Sequence, residues 1–292
     1  MLTSHEFCND LSDFVADWRL NGTREQHLGD NPFPRFVLAS RAESWSEFQQ
    51  WRRDLDPNWC FRGQREATWG LSTSLDRVCL RRYESWADGL HSSGYYHLDR
   101  EIEAHKHMEV FQRRLVGDGG PMPAENDRGS WYARAQHYGT PTRFLDWTAS
   151  PLIAAHFALE RPAAEGDLYS AIWALDLDWL ERRAREFLPR FVSPMLNSEA
   201  EPFLLDKCHE VVAVRVIPRQ TNIRMAAQQG VLLCKLRHDV YFSVTLMNMM
   251  IHPEVPKRPV LRKIEIGAPL RQEFLQRLKD AGVTRESLFP DA

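Results

Sequence analysis

The residues best suited to chemistry lie close together: His137, Tyr138, Arg143, Asp146, Trp147, Thr148 and Ser150 all fall between Ala135 and Pro151. A histidine there can move a proton. An aspartate can stabilise developing positive charge. An arginine presents a planar fork of donors to phosphate, and Tyr138 and Trp147 offer ring faces for stacking. The stretch then runs into an apolar segment. Ser150 can cap a helix there, Pro151 suits its first position, and Leu152, Ala155, His156 and Leu159 share one face. The N-terminus of such a helix can hold an anion. A turn whose polar side chains satisfy one another fits the same residues.

Two further places supply complementary groups. Trp59 to Gln64 has strand character, and Arg62 stands beside Gly63 at its end, where a guanidinium could enter a cleft or lie on a hairpin surface. Gln228, Gln229 and Gly230 precede the apolar run Val231 to Leu236. Positive charge also gathers at Arg65, Arg77, Arg81 and Arg82. His105, Lys106 and His107, with Glu103 four residues before His107, could bring metal ligands to one helix face, but no motif nearby supplies a third ligand. A solvated face is the better reading, and no metal is expected. G-x-S-x-G, G-x-x-x-x-G-K-[ST] and H-E-x-x-H are all missing, which argues against a serine hydrolase, a P-loop NTPase and a zincin.

These residues need a scaffold. Phe7, Leu11, Phe14 and Trp18 predict a helix over 4–20, followed by a Gly/Asn/Pro-rich connector. Ser44 and Glu47 form an S-x-x-E capping box for a second helix. Helices are also predicted over 76–83, 98–115 and 178–187, from Leu270 to Gly282, and as a short cap at 284–289. Gly117 to Gly129 reads as a linker. Strands are predicted at 170–176, 210–217, 231–236, 241–247 and 262–266. Helices dominate the first part and strands the second, giving an α+β fold: a central, mainly antiparallel sheet flanked by helices.

At 292 residues the chain can bury a large core. Its 37 basic and 40 acidic residues leave a formal charge of −3, so no global field recruits nucleic acid. No apolar run approaches the roughly 20 residues a membrane helix needs. The N-terminus has neither the basic start nor the apolar core of a signal peptide. Five scattered cysteines without C-x-x-C suit reduced thiols. A cytoplasmic location and no membrane partner are expected.

Three pieces together resemble the FRG-domain family. They are Trp59-x-Phe61-Arg62-Gly63-Gln64, then Ala135-Gln136-His137-Tyr138-Gly139-x-Pro141-Thr142-Arg143-x-Leu145-Asp146-Trp147-Thr148 with Ser150-Pro151 and Phe157-Ala158, then Arg224 with Gln228-x-Gly230. The ending Leu288-Phe289-Pro290-Asp291 is similar too, and the resemblance covers roughly residues 40 to 290. It implies one FRG-like α+β domain over 41–292, and the helix predicted over 4–20 makes residues 1–40 an N-terminal helical cap on it.

In the order of its parts the chain also resembles ADP-ribosyltransferases, which implies a split sheet. Arg62 matches their first motif. Thr148 and Ser150, ahead of Ala154, Ala155, Phe157 and Ala158, match the second, and Gln228, Gln229 and Gly230 match the third. That resemblance implies NAD bent in a cleft as substrate, an arginine on its phosphates or ribose, Tyr138 or Trp147 against nicotinamide, and a carboxylate near the ribose. The third motif usually carries glutamate. With Gln228 there, Asp146 is the first substitute and Glu210 the next, although Asp146 could instead brace Arg143.

The implied activity is an NAD-consuming transferase, a toxin or anti-phage effector acting on nucleic acid or protein and restrained by an inhibitory partner protein. The alternatives are a nuclease or phosphodiesterase using His137 with Arg62 and Arg143, and a nucleotide-binding module without chemistry.

Overall fold

The computed structural model describes residues 37–55, 57–77, 122–124, 127–163, 168–188, 210–218, 223–237, 241–251 and 256–290. The helices predicted over 4–20 and 98–115, the latter carrying His105 to His107, lie outside the described residues, as does the predicted helix 76–83 beyond Arg77.

Among the described residues seven strands form one sheet in the order β1-β7-β4-β2-β3-β6-β5. They are β1 (Leu38–Ala42), β2 (Trp59–Gln64), β3 (Phe144–Thr148), β4 (Tyr169–Asp176), β5 (Ala213–Val216), β6 (Gly230–Lys235) and β7 (Leu261–Gly267). Only the β1/β7 pair is parallel. The fold is therefore α+β with a mostly antiparallel sheet. β1 starts at Leu38, so a boundary at residue 40 falls inside a strand of the sheet.

Helices cover both faces, because strands buried on both sides expose apolar residues in both directions. On one face α1 (Trp45–Arg53), α3 (Pro151–Leu159) and α7 (Arg271–Asp280) pack Phe48, Trp51, Ala154, Ala158 and Phe274 over Trp59, Phe61, Ile172, Ala174 and Ile264. On the other, α4 (Leu177–Phe187) and α6 (Phe242–Ile251) pack Leu180, Leu246 and Met249 over Cys60, Trp173, Leu175 and Leu233.

Local capping agrees with the sequence in kind. Ser44 accepts from the Glu47 N–H at 3.2 Å, while the Glu47 carboxylate reaches one residue further back than expected, to the Glu43 N–H at 2.8 Å. Ser150 caps α3 by accepting from Ile153 N–H, and Pro151 is its first residue. Arg271 closes the other end of α3, donating to the carbonyls of Leu159 and Glu160 at 2.7 and 2.9 Å.

Three expectations need correction. Of residues 241–247, predicted as a strand, all but Tyr241 belong to α6. The segment is apolar on all sides and buried all round, and its Leu and Met residues favour helix. The linker predicted up to Gly129 instead starts α2 (Arg128–His137), capped by Asp127, which accepts from Ser130 N–H at 3.1 Å. The strand predicted over 210–217 shortens to β5. Two further helices, α5 (Ile223–Ala227) and α8 (Arg285–Leu288), are short, and Thr284 and Ser287 close a capping box on the second. Among the described residues no helix is long and apolar enough to cross a membrane.

Glycine is forced at position 63. A Cβ there would lie 1.9 Å from the Ala154 carbonyl oxygen and 2.6 Å from the Ala158 nitrogen, so α3 rests directly on the β2 backbone. The helix also buries His156, whose Nε2 has no hydrogen-bond partner and lies 3.9 Å from a Glu160 oxygen. Burial lowers the His156 pKa below its ordinary 6.5, Glu160 opposing the shift. The neutral form is thus favoured in the folded state. Its contribution is fully present above pH 6.5 and is lost as pH falls through that value and on through the folded pKa. Thermal melts between pH 7.5 and 5 should lose part of their acid-side slope in His156→Gln; an unchanged slope would place the acid sensitivity elsewhere.

Candidate functional site

The middle of the sheet is not fully zipped. β2 pairs with β4 along its whole length, from Trp59↔Asp176 to Gln64↔Ala171, but with β3 only at Phe61↔Thr148. Past that pair the strands part, and a cleft of about 1030 Å³ opens along the gap. Arg62, Gly63 and Gln64 line one side, Asp146, Trp147 and Thr148 the other, and Arg224, Gln228 and Phe289 close it from the C-terminal part of the chain. The parting of β2 from β3 thus makes the cavity.

Arg62 spans the gap. Its Nη1 donates to the backbone carbonyl of Asp146, and its Nε is buried without a hydrogen-bond partner. Burial brings the Arg62 pKa down to about 10; the nearby Asp146 opposes this and Arg77 adds to it. A guanidinium so desolvated and incompletely paired favours an anion beside it.

Asp146 stands on the cleft floor, reached by solvent yet crowded by protein, and burial raises its carboxyl pKa above the ordinary 3.8 against the pull of Arg62. Gln136 on α2 donates from Nε2 to Asp146 Oδ2. The Gln136 Oε1 accepts from the Thr142 hydroxyl at 3.3 Å, and that hydroxyl accepts from Phe144 N–H at 3.3 Å. The amide is thereby oriented with its donors toward the carboxylate, which favours the ionised form.

Asp146 does not brace Arg143. The Arg143 side chain is buried elsewhere, donating to the Leu236 carbonyl at 3.1 Å over the Tyr132 ring at 5.4 Å, and neither partner lines the cleft. Its expected role on a phosphate is therefore corrected to a structural one. Thr148 is a clasp: its hydroxyl donates to the Gln228 carbonyl at 2.8 Å and accepts from Ser150 N–H at 3.1 Å, tying β3 to the turn before β6. Ser150 itself caps α3 and lies outside the lining, as does the N-terminus of that helix; Phe157 of its last turn and Glu160 and Arg161 just past its end face the cleft instead.

Tyr138, 52% exposed at the end of α2, is not a lining residue, and neither is Glu210. Trp147 is, although its ring is almost wholly buried. His137 ends α2, but its side chain lies outside the described residues. Gln228 donates from Nε2 to the Leu288 carbonyl at 3.1 Å, holding the C-terminal segment against the cleft.

Of the groups expected from sequence, the cleft therefore gathers Arg62, Asp146, Trp147, Thr148 and Gln228. It adds Gln136, Arg161, Arg224, Phe289 and Trp69. Gln136, Arg224 and Phe289 stood inside the family-like pieces, but nothing local marked them; Trp69 and Arg161 are far apart in sequence and meet only through the fold. Among the described residues five arginines, at 62, 65, 77, 161 and 224, line the cleft against the acids Asp146 and Glu160, so that described lining is net cationic.

Residues 57–167 match the family model described as FRG domain. That span holds β2, α2, β3 and α3, whose residues Arg62, Gln136, Asp146 and Phe157 make much of the cleft. No curated protein and no solved structure matches the chain.

Proposed function

The chain carries an FRG domain, and from that premise we propose that its cleft takes NAD as substrate and breaks the bond between nicotinamide and ribose, as an ADP-ribosyltransferase does. The observation that carries the proposal is Arg62: a half-buried guanidinium where β2 and β3 part, its buried Nε without a hydrogen-bond partner, next to the Asp146 carboxylate. In this reading Arg62 and the rim arginines hold the pyrophosphate. As nicotinamide leaves with the electron pair of the C–N bond, C1′ of the ribose becomes cationic, and the Asp146 carboxylate, aligned by Gln136, stabilises it until an acceptor nucleophile adds there. Gln228 takes no charge in this scheme; it keeps the C-terminal wall in place.

Incubation with NAD, cell extract being supplied as acceptor, is expected to release nicotinamide. Arg62→Ala and Asp146→Asn should each slow release about 100-fold or more while remaining folded. A folded wild-type protein that releases none would sink the proposal. Binding without turnover is the second reading, motivated by the amide at Gln228 in place of an acid. Tight nucleotide binding with no nicotinamide formed would favour it.

A further inference from the structure

Trp69 is the lining residue without an evident internal job. Its ring is 44% exposed, although it belongs to a loop fixed at several points. The Ser170 hydroxyl donates to the Arg65 carbonyl at 2.9 Å, Ala67 N–H donates to the Tyr169 carbonyl at 2.9 Å, and Lys263 Nζ donates to the Ala67 carbonyl at 2.7 Å. Gln64, two residues beyond Arg62, donates to the Gly70 carbonyl at 3.0 Å, which folds the loop back along the end of β2. Its amide cannot turn over, because its Oε1 accepts from Trp173 Nε1 at 2.6 Å.

The exposed indole is thus held on a rigid support at the cleft. The Arg65 guanidinium lies over the ring at 5.2 Å and is itself held by Glu66, and among the described residues no other ring or cation stacks on the indole. A large aromatic left open on a fixed loop beside a cationic cleft has the chemistry to stack a planar heteroaromatic ring.

We propose that Trp69 forms a base subsite: it stacks the nucleobase of a nucleotide whose phosphates lie on the cleft arginines. The proposal rests on the nucleotide reading of the cleft and not on turnover. It names the ligand class as a base-bearing phosphate ester rather than a bare phosphate or sugar phosphate, and it makes Trp69 a specificity residue rather than a catalytic one.

Calorimetric titration with ADP-ribose and with ribose 5-phosphate tests it. The wild type is expected to prefer ADP-ribose. Trp69→Ala should weaken ADP-ribose about 10- to 100-fold and leave ribose 5-phosphate within about twofold, and Trp69→Phe should recover most of the loss. A Trp69→Ala variant that weakens both ligands equally, or neither, overturns the subsite, as does a wild type with no preference for the base-bearing ligand. Nicotinamide release judges turnover separately: selective loss of ADP-ribose binding in a protein that never consumes NAD keeps the subsite and removes the transferase reading.

Discussion

Gly63→Ala is expected to destabilise the protein by about 3 kcal/mol or more, at or above the upper end of overpacking costs. The reason lies in what the added methyl would meet. Side chains can rotate away from an intruding atom, but both close contacts at this position are backbone atoms of α3, at 1.9 and 2.6 Å. Relief requires lifting the helix from β2 as a body, and with it Ala154, Ala155 and Ala158, which are fully buried in that core. Gly70→Ala is the control. Nothing lies within 4 Å of a Cβ there, and the change should stay within about 0.5 kcal/mol. Denaturant melts of the two variants make the comparison. Equal stability would mean that α3 does not rest on β2 as described. Because Gly63 follows Arg62, the variant should also disturb the cleft, so its ligand binding is expected to fall together with its stability.

The second large effect lies across the sheet. Lys235 on β6 is wholly buried, and its Nζ bonds to Asp76, which is almost as deeply enclosed. The other oxygen of Asp76 accepts from Thr73 N–H at 2.9 Å, and the Thr73 hydroxyl accepts from Asp76 N–H at 3.1 Å, making a closed turn. The same segment is tied to the approach to β3 by Leu75 N–H donating to the Thr142 carbonyl at 3.1 Å. Asp76→Ala removes the carboxylate and leaves an ammonium in the interior, at a cost of about 3–5 kcal/mol. Lys235→Met in the same background should return much of it, because an apolar replacement for a buried pair is often close to neutral. If Asp76→Ala melts within 1 kcal/mol of the wild type, the pair is not the anchor described here. Since Ser72 and Arg77 flank this turn and line the cleft, ligand affinity should follow the same order among the variants.

Much of the scaffold could be read from local signals. The Ser150-Pro151 start of α3, the short aromatic run that marks β2 and the Gly282 stop of α7 are written within a few residues of where they act. Residues 241–247 misled because an apolar run fits a strand or a buried helix equally until its neighbours are known. α2 was hidden because its cap, Asp127, sits among glycines and prolines.

At the site, local signals pointed to Arg62 and Asp146, a strand-end arginine and a carboxylate amid hydroxyls, and both line the cleft. They failed for Arg143, which has the same chemistry but turns into the core toward Leu236. They also missed Trp69, because its position depends on Gln64 catching Gly70 and on Lys263, far along the chain, catching Ala67. The single rung between β2 and β3 has no signature in either strand.

That single rung also divides what can change from what cannot. Arg62 and Gly63, by their place under α3 and across the gap, and Asp146, by its pairing with Leu232 on β6, belong to the framework, and altering them disturbs the parting of the strands itself. Arg161 stands on the rim, exposed, and contributes no side chain to either core. Related chains could therefore drift at such rim positions and retune which ligand is held, while the opening that holds it is inherited unchanged.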